Sequence, residues 1–129
     1  MSGIDPWRFE SRRVDKPWGY ELIWALTETY CGKLLFVKAG HSLSLQYHVQ
    51  KDESWLVQAG RAKVELGTTE DTELTEAILE PGDTLHYSPG TVHRVTAIED
   101  TTILEVSTPH LDDVVRIEDA YGRAGTSAP

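Results

Sequence analysis

The chain has 129 residues, enough for one domain, and 40% of them are hydrophobic and 26% charged, which is typical of a protein with a folded core. The formal net charge of −9 at pH 7 argues against nucleic acid as a partner. The absence of a long apolar segment argues against a membrane span or a signal peptide. We therefore expect a cytoplasmic domain that binds neither nucleic acid nor membranes.

The strand signals are short and regularly spaced. Runs rich in Val, Ile, Leu, Tyr and Trp recur about every 8 to 12 residues between turn residues, as in β-sandwiches and barrels. Gly and Pro mark the reversals, for example at Ala59-Gly60 and Pro81-Gly82. The predicted strands are Gly19–Ala25, Cys31–Val37, Leu43–His48, Glu53–Gln58, Ala62–Leu66, Thr75–Leu79, Thr84–Tyr87, His93–Ala97 and Thr102–Ser107.

These signals predict an all-β, single-domain protein with antiparallel hairpins. The strands occupy residues 16–121, which we interpret as a barrel with a C-terminal segment. Residues 1–15 form a predicted N-terminal arm, and residues 122–129, rich in small side chains, form a predicted flexible tail.

Four candidate metal ligands fall in two of the predicted hairpins. Gln46 and His48 are two residues apart on a strand, so their side chains point to the same face, and Glu53 begins the next strand. His93 heads a strand that returns after a Pro-Gly turn and can meet them across the barrel. Two imidazoles, a carboxylate and an amide oxygen suit one divalent metal ion, without distinguishing Mn, Fe, Co, Ni and Zn.

The spacing of these residues resembles the first motif of the cupin superfamily. Gly40 is followed by five residues, Gln46-x-His48, four residues, Glu53, six residues and Gly60, with Gln at the position of the first motif histidine. This resemblance implies a small double-stranded antiparallel β-barrel of the jelly-roll type.

The second cupin motif is present as Gly82 followed by Pro89-x-x-x-His93, with Ser88 and Ala97 where the motif usually has Pro and Asn. A narrower resemblance, to the cupin domain of type II mannose-6-phosphate isomerases, covers most of the chain. It rests on LSLQYH at 43–48, Glu53 with Trp55, KPWGYE at 16–21 and DDVVRIEDAYGR at 112–123.

This narrower resemblance implies a metal-dependent isomerase that interconverts mannose 6-phosphate and fructose 6-phosphate. The metal would act as a Lewis acid while a base carries a proton between neighbouring carbons. The candidate bases are Glu53, Lys33 and His86. The candidate substrate-binding residues are Lys51, Arg61, Trp55, Arg116 and Arg123.

Two other functions stay open at this point. Lys51 stands where the family usually has Arg, and the histidines that usually follow LSLQYH are missing. An iron dioxygenase or other small-molecule tailoring cupin is therefore one alternative, and a non-catalytic sugar-binding cupin is another. We also expect a homodimer, because the arm and exposed barrel strands leave edges that need covering.

Overall fold

The computed structural model describes residues 3–71, 73–122 and 124. Over these residues the chain forms one short 3-10 helix and eleven β-strands, and no helix is long or apolar enough to cross a membrane. In chain order the elements are the 3-10 helix Asp5–Trp7 and the strands β1 (Arg12–Lys16), β2 (Gly19–Leu26), β3 (Cys31–Val37), β4 (Leu45–Tyr47), β5 (Glu53–Ala59), β6 (Ala62–Gly67), β7 (Thr75–Leu79), β8 (Thr84–Tyr87), β9 (Val92–Ala97), β10 (Thr101–Ser107) and β11 (Val115–Glu118).

The strands form two antiparallel sheets. The first has the order β1-β2-β3-β10-β5-β8 and the second the order β11-β4-β9-β6-β7. Strands distant in sequence, such as β3 and β10, are neighbours, as expected for a jelly-roll barrel rather than a meander. The predicted all-β, single-domain fold is confirmed.

The core lies between the two sheets because the central strands β3, β5, β6, β9 and β10 bury alternate side chains. Leu35 and Ile103 of the first sheet pack with Ala62 and Val95 of the second in one apolar cluster. Ile103 and Val95 have no exposed surface, and full burial of such side chains contributes roughly 1.5 to 3 kcal/mol each.

The turn at Ala59-Gly60 explains the final glycine of the first motif. Gly60 has a φ of +92°, in the region that favours glycine. A Cβ atom there would also lie 2.2 Å from the carbonyl oxygen of Asp100. Only glycine therefore lets β5 turn into β6 beneath the chain that leads into β10.

Two observed strands, β1 and β11, were not predicted, and both are edge strands. In Arg12–Lys16 only Val14 is apolar, so the sequence lacks the alternation by which strands are recognised. The predicted boundary of the arm at residue 15 consequently falls inside β1. The predicted strand Leu43–His48 is regular only over Leu45–Tyr47.

Candidate metal centre and its cavity

A cavity lined mainly by polar and ionisable side chains opens between the two sheets. The free space inside it is about 70 Å³. Its polar lining residues are Lys16, Glu21, Lys33, Ser44, Gln46, His48, Lys51, Glu53, Glu105, Asp113 and Arg116.

Strand register brings these side chains together. In each sheet, three interior-facing residues lie directly opposite one another on neighbouring strands, so they share a face. In the first sheet the row is Lys33, Glu105 and Trp55, and in the second it is Arg116, Gln46 and His93.

His48 and Glu53, which line the cavity, form a buried triad with His93. One ligand atom from each residue lies within 4.8 Å of the other two. Nε2 of His48 is 3.6 Å from Oε2 of Glu53, and Nε2 of His93 is 3.3 Å from Oε1. All three residues are at most 5% exposed.

Backbone carbonyl groups orient both imidazoles. Nδ1 of His93 donates to the carbonyl oxygen of Thr91 at 2.9 Å, and Nδ1 of His48 donates to that of Asp113. A carbonyl oxygen only accepts, so the proton of each neutral ring is on Nδ1 and the Nε2 lone pair points into the triad. This is the arrangement that metal-binding histidines use.

The triad residues fit a metal ion because several of their nitrogen and oxygen atoms are buried without a hydrogen-bond partner. Nε2 of His48, Nε2 of His93 and Oε1 of Glu53 are buried and have no hydrogen-bond partner. Burial favours the neutral acid, but hydrogen bonds from the imidazoles in their protonated form, together with the positive charge of Lys51, hold the pKa of Glu53 well below its usual range. The carboxylate is thus ionised and available to a cation.

Lys51 links this triad to a second carboxylate. Its Nζ is 2.8 Å from Oε2 of Glu53 and 3.1 Å from Oε2 of Glu105, while Trp55 Nε1 donates to Oε1 of Glu105 at 3.1 Å. Burial lowers the pKa of Lys51, but Glu105 and Glu53 outweigh this and raise it above the usual value. Lys51 therefore remains a cation.

Asp113 holds the loop between His48 and Glu53. Its carboxylate accepts hydrogen bonds from the backbone N–H groups of Val49, Gln50 and Lys51, at 3.0, 2.6 and 2.8 Å. Burial opposes ionisation, but these three donors bring the pKa of Asp113 below its usual value. One residue thus orients His48 through its carbonyl group and positions Lys51 through its side chain.

A comparison with known protein families identifies the family of this chain. The family described as mannose-6-phosphate isomerase C-terminal matches residues 8–119. The chain belongs to this family. The predicted resemblance to cupins, and to the cupin domain of type II mannose-6-phosphate isomerases, is confirmed.

One curated relative is the mannose-1-phosphate guanylyltransferase ManC of Salmonella typhimurium strain LT2. It is 38% identical over 117 residues, which cover 87% of this chain and 23% of that protein. The chain therefore spans about a quarter of the length of that relative.

Solved structures show the same fold. The capsular polysaccharide assembling protein CapF from Staphylococcus aureus superimposes with a TM-score of 0.73 at 16% identity, over 92% of this chain and 35% of that one. Oxalate decarboxylase from Bacillus subtilis, a protein with Mn(II) centres, gives a TM-score of 0.69 at 18% identity, over 82% and 30% of the two chains.

Most of the residues that were predicted to belong to the functional site line the cavity. Lys33, Lys51, Trp55 and Arg116 line it. Gln46 also lines it, directly opposite His93, and its Oε1 accepts a hydrogen bond from Ser44 at 2.6 Å. A role for Gln46 as a fourth metal ligand stays a prediction.

Other predicted residues are not brought to the cavity. The side chain of Arg61 is 47% exposed and lies 3.6 Å from Glu80. That of His86 is 61% exposed, points to the outer face of the first sheet and binds Asp52 at 2.6 Å. Arg61 follows the Gly60 turn and His86 alternates with buried Tyr87, which explains why both point outward. Arg123 lies outside the described residues.

Four ionisable residues that line the cavity were not predicted as site residues: Lys16, Glu21, Glu105 and Asp113. The first two lie in KPWGYE and Asp113 in DDVVRIEDAYGR, the segments that carry the family resemblance. Glu105 alternates with Ile103 and Ser107, which are buried, so strand parity indicated that its carboxylate faces inward.

We predict that Asp113→Ala destabilises the protein by about 1 to 2 kcal/mol, because three backbone donors lose their acceptor. Urea unfolding measures this loss, and faster hydrogen exchange at the amides of Val49, Gln50 and Lys51 locates it. Asp112→Ala is the matched control, since the neighbouring Asp112 is exposed. Equal effects of the two substitutions would contradict the assigned role of Asp113.

Proposed function

We propose that the protein is a metal-dependent aldose-ketose isomerase of the mannose-6-phosphate isomerase type, acting on a sugar phosphate. The observation that carries the proposal is the buried triad of His48, Glu53 and His93, whose acceptor atoms lack partners, beside a cavity with a further carboxylate, Glu105. Membership of the family supports a sugar phosphate as the proposed substrate class.

The triad would hold one divalent ion, with Gln46 as the proposed fourth ligand. Imidazole nitrogens and a carboxylate oxygen are ligands of Mn, Fe, Co, Ni and Zn alike. When bound, such an ion polarises the carbonyl oxygen on C1 and the hydroxyl oxygen on C2 of the sugar. This makes the C2–H bond more acidic. Glu53 would supply charge to this ion rather than take up a proton.

Glu105 is the proposed general base. Of the predicted bases, Glu53 contacts both imidazoles, Lys33 binds Glu21 at 2.7 Å, and His86 lies outside the cavity. Glu105 is buried, lines the cavity and does not belong to the triad. Trp55 holds one of its oxygens and Lys51 lies near the other, which fixes the carboxylate in one orientation.

The proposed step moves two protons, one between neighbouring carbons and one between their oxygens, and needs no oxidant or reductant. The Glu105 carboxylate accepts the proton from C2 of the aldose as the C2–H bond breaks and an enediolate forms, with its negative charge on O1. The same group returns the proton to C1, the C1–H bond forms, and the hydroxyl proton on O2 passes to O1. Trp55 shields the carboxylate from bulk water on one side.

We predict that metal binding depends on the triad histidines. His48→Ala and His93→Ala should each weaken binding by about 10- to 100-fold or more, since each removes a direct ligand. Elemental analysis after dialysis against limiting metal measures this loss. His86→Ala is the matched control and should retain the wild-type metal content. Equal metal content in all four proteins would contradict the metal site.

We predict isomerase turnover that depends on Glu105. Metal-loaded protein with mannose 6-phosphate in heavy water should give fructose 6-phosphate with deuterium at the exchanged carbon. Glu105→Gln should lower kcat by about 10² to 10⁴ while metal content stays unchanged. Glu80→Gln, at an exposed carboxylate, is the control. Absence of product and label with each of Mn, Fe, Co, Ni and Zn would contradict the function.

One observation favours a second candidate function. Two histidines and one carboxylate with open positions are also the ligand set of non-haem iron oxygenases. In that case the iron-loaded protein would consume oxygen in the presence of a substrate and would not label mannose 6-phosphate. Saturable sugar binding with neither activity would instead indicate a non-catalytic cupin.

We also propose a homodimer through the outer face of the first sheet. Leu22, Leu34, Leu104 and Leu56 lie directly opposite one another across β2, β3, β10 and β5. The outward side chains of β3, β10 and β5 carry no charge, so the net charge of −9 does not oppose contact between two copies there.

For this dimer we predict a light-scattering mass near twice the 14.4 kDa of the chain. Leu104→Glu should shift the mass toward that of one chain, because it places a charge at the centre of the face. A mass of one chain for the unsubstituted protein would contradict the dimer.

A further inference from the structure

A second group of buried charges lies at the other end of the cavity from the triad. Nζ of Lys16 is 3.1 Å from Oε1 of Glu21, and Nζ of Lys33 is 2.7 Å from Oε2 of the same carboxylate. The side chains of all three residues are at most 8% exposed. Arg116, which is 6% exposed, lines the same cavity from the opposite sheet.

The charges at this end do not balance. Glu21 supplies one negative charge to the two positive charges of Lys16 and Lys33. At the triad the relation is reversed, because Glu53 and Glu105 share Lys51. Buried charges of one sign are costly unless a counter-charge accompanies them. This end of the cavity is therefore suited to an anion.

The electrostatics of Lys16 support this conclusion. Burial lowers the pKa of Lys16 below its usual value, and the positive charges of Lys33 and Arg116 act in the same direction, against the opposing effect of Glu21. An anion placed between these cations would relieve their mutual repulsion. A second cavity shares the wall of Glu21 and Lys33 and is also lined by Arg12, Arg13 and Asp112, so cations outnumber carboxylates in its lining by three to two.

Strand spacing sets the distance between the two ends. Lys33 lies on β3 and Glu53 on β5, with β10 between them, and Arg116 lies on β11 and His93 on β9, with β4 between them. Two strand spacings amount to roughly 10 Å on each wall. An open-chain hexose phosphate has a similar length from its carbonyl group to its phosphate group.

We propose that Lys16, Lys33 and Arg116 bind the terminal phosphate monoester of the substrate, while the triad faces its carbonyl end. This inference rests on the proposed function for the identity of the sugar. A phosphate monoester would supply the negative charge that two lysines sharing one carboxylate lack. Glu21 keeps the two lysines apart and oriented, one on each of its oxygens.

The test is calorimetric titration of the metal-free protein with inorganic phosphate, and then with fructose 6-phosphate and fructose. The unsubstituted protein should bind phosphate and fructose 6-phosphate saturably, and fructose much more weakly. Lys16→Gln and Arg116→Gln should each weaken phosphate binding about tenfold or more. Arg61→Gln, at an exposed cation outside the cavity, should change it by less than about twofold.

Lys16→Arg keeps the charge and should bind phosphate within a few-fold of the unsubstituted protein, so it separates loss of charge from loss of folding. Metal affinity should be unchanged in Lys16→Gln. Absence of saturable phosphate binding by the unsubstituted protein, or equal weakening by Arg61→Gln and Lys16→Gln, would overturn the proposal.

This experiment is independent of turnover. Loss of phosphate binding in Lys16→Gln, without any isomerase activity, would support the anion site and overturn only the proposed reaction. If the protein is an active isomerase but its phosphate binding is unchanged in Lys16→Gln and in Arg116→Gln, only the anion site is overturned.

Discussion

The buried ammonium group of Lys51, held between Glu53 and Glu105, is the contact on which the interior of this barrel depends. Without it, two buried carboxylates would have only imidazoles to compensate them, and removing one partner of such a pair usually costs several kcal/mol. The backbone of Lys51 is in turn held by Asp113, which also orients His48. The triad, its counter-charge and the loop are thus parts of one connected unit.

At each end of the cavity, one charged side chain lies between two of opposite charge, and the sign of the central charge differs between the two ends. One lysine between two carboxylates leaves the triad end negative, which suits a metal cation. One carboxylate between two lysines leaves the other end positive, which suits a phosphate. A chain with a formal charge of −9 can therefore present a local positive field to an anionic sugar.

The sequence allowed the fold and the triad to be predicted because both follow from local rules. Turn glycines and alternating burial located nine strands, and the motif spacing placed His48, Glu53 and His93 on one face. Neighbours across a sheet do not follow from such rules. Glu105 faces Trp55 only because β10 returns between β3 and β5, and Lys16 reaches Glu21 only because β1 is a strand, which its composition of charged residues hid.

Arg61 and His86 illustrate the same limit from the other side. By residue type, Arg61 could bind a substrate and His86 could act as a base. A turn sets the direction of the Arg61 side chain and strand parity that of His86, and each side chain instead pairs with an exposed carboxylate. Residue type indicates what a side chain is able to do, whereas register decides whether it is placed to do it.

The cations at the phosphate end include two that come from β1 and β11, each of which has a single neighbouring strand, whereas the triad lies on strands nearer the middle of the sheets. Substitutions, insertions or a change of register in an edge strand disturb few other contacts. The proposed phosphate-binding end can therefore diverge in evolution while the triad is retained.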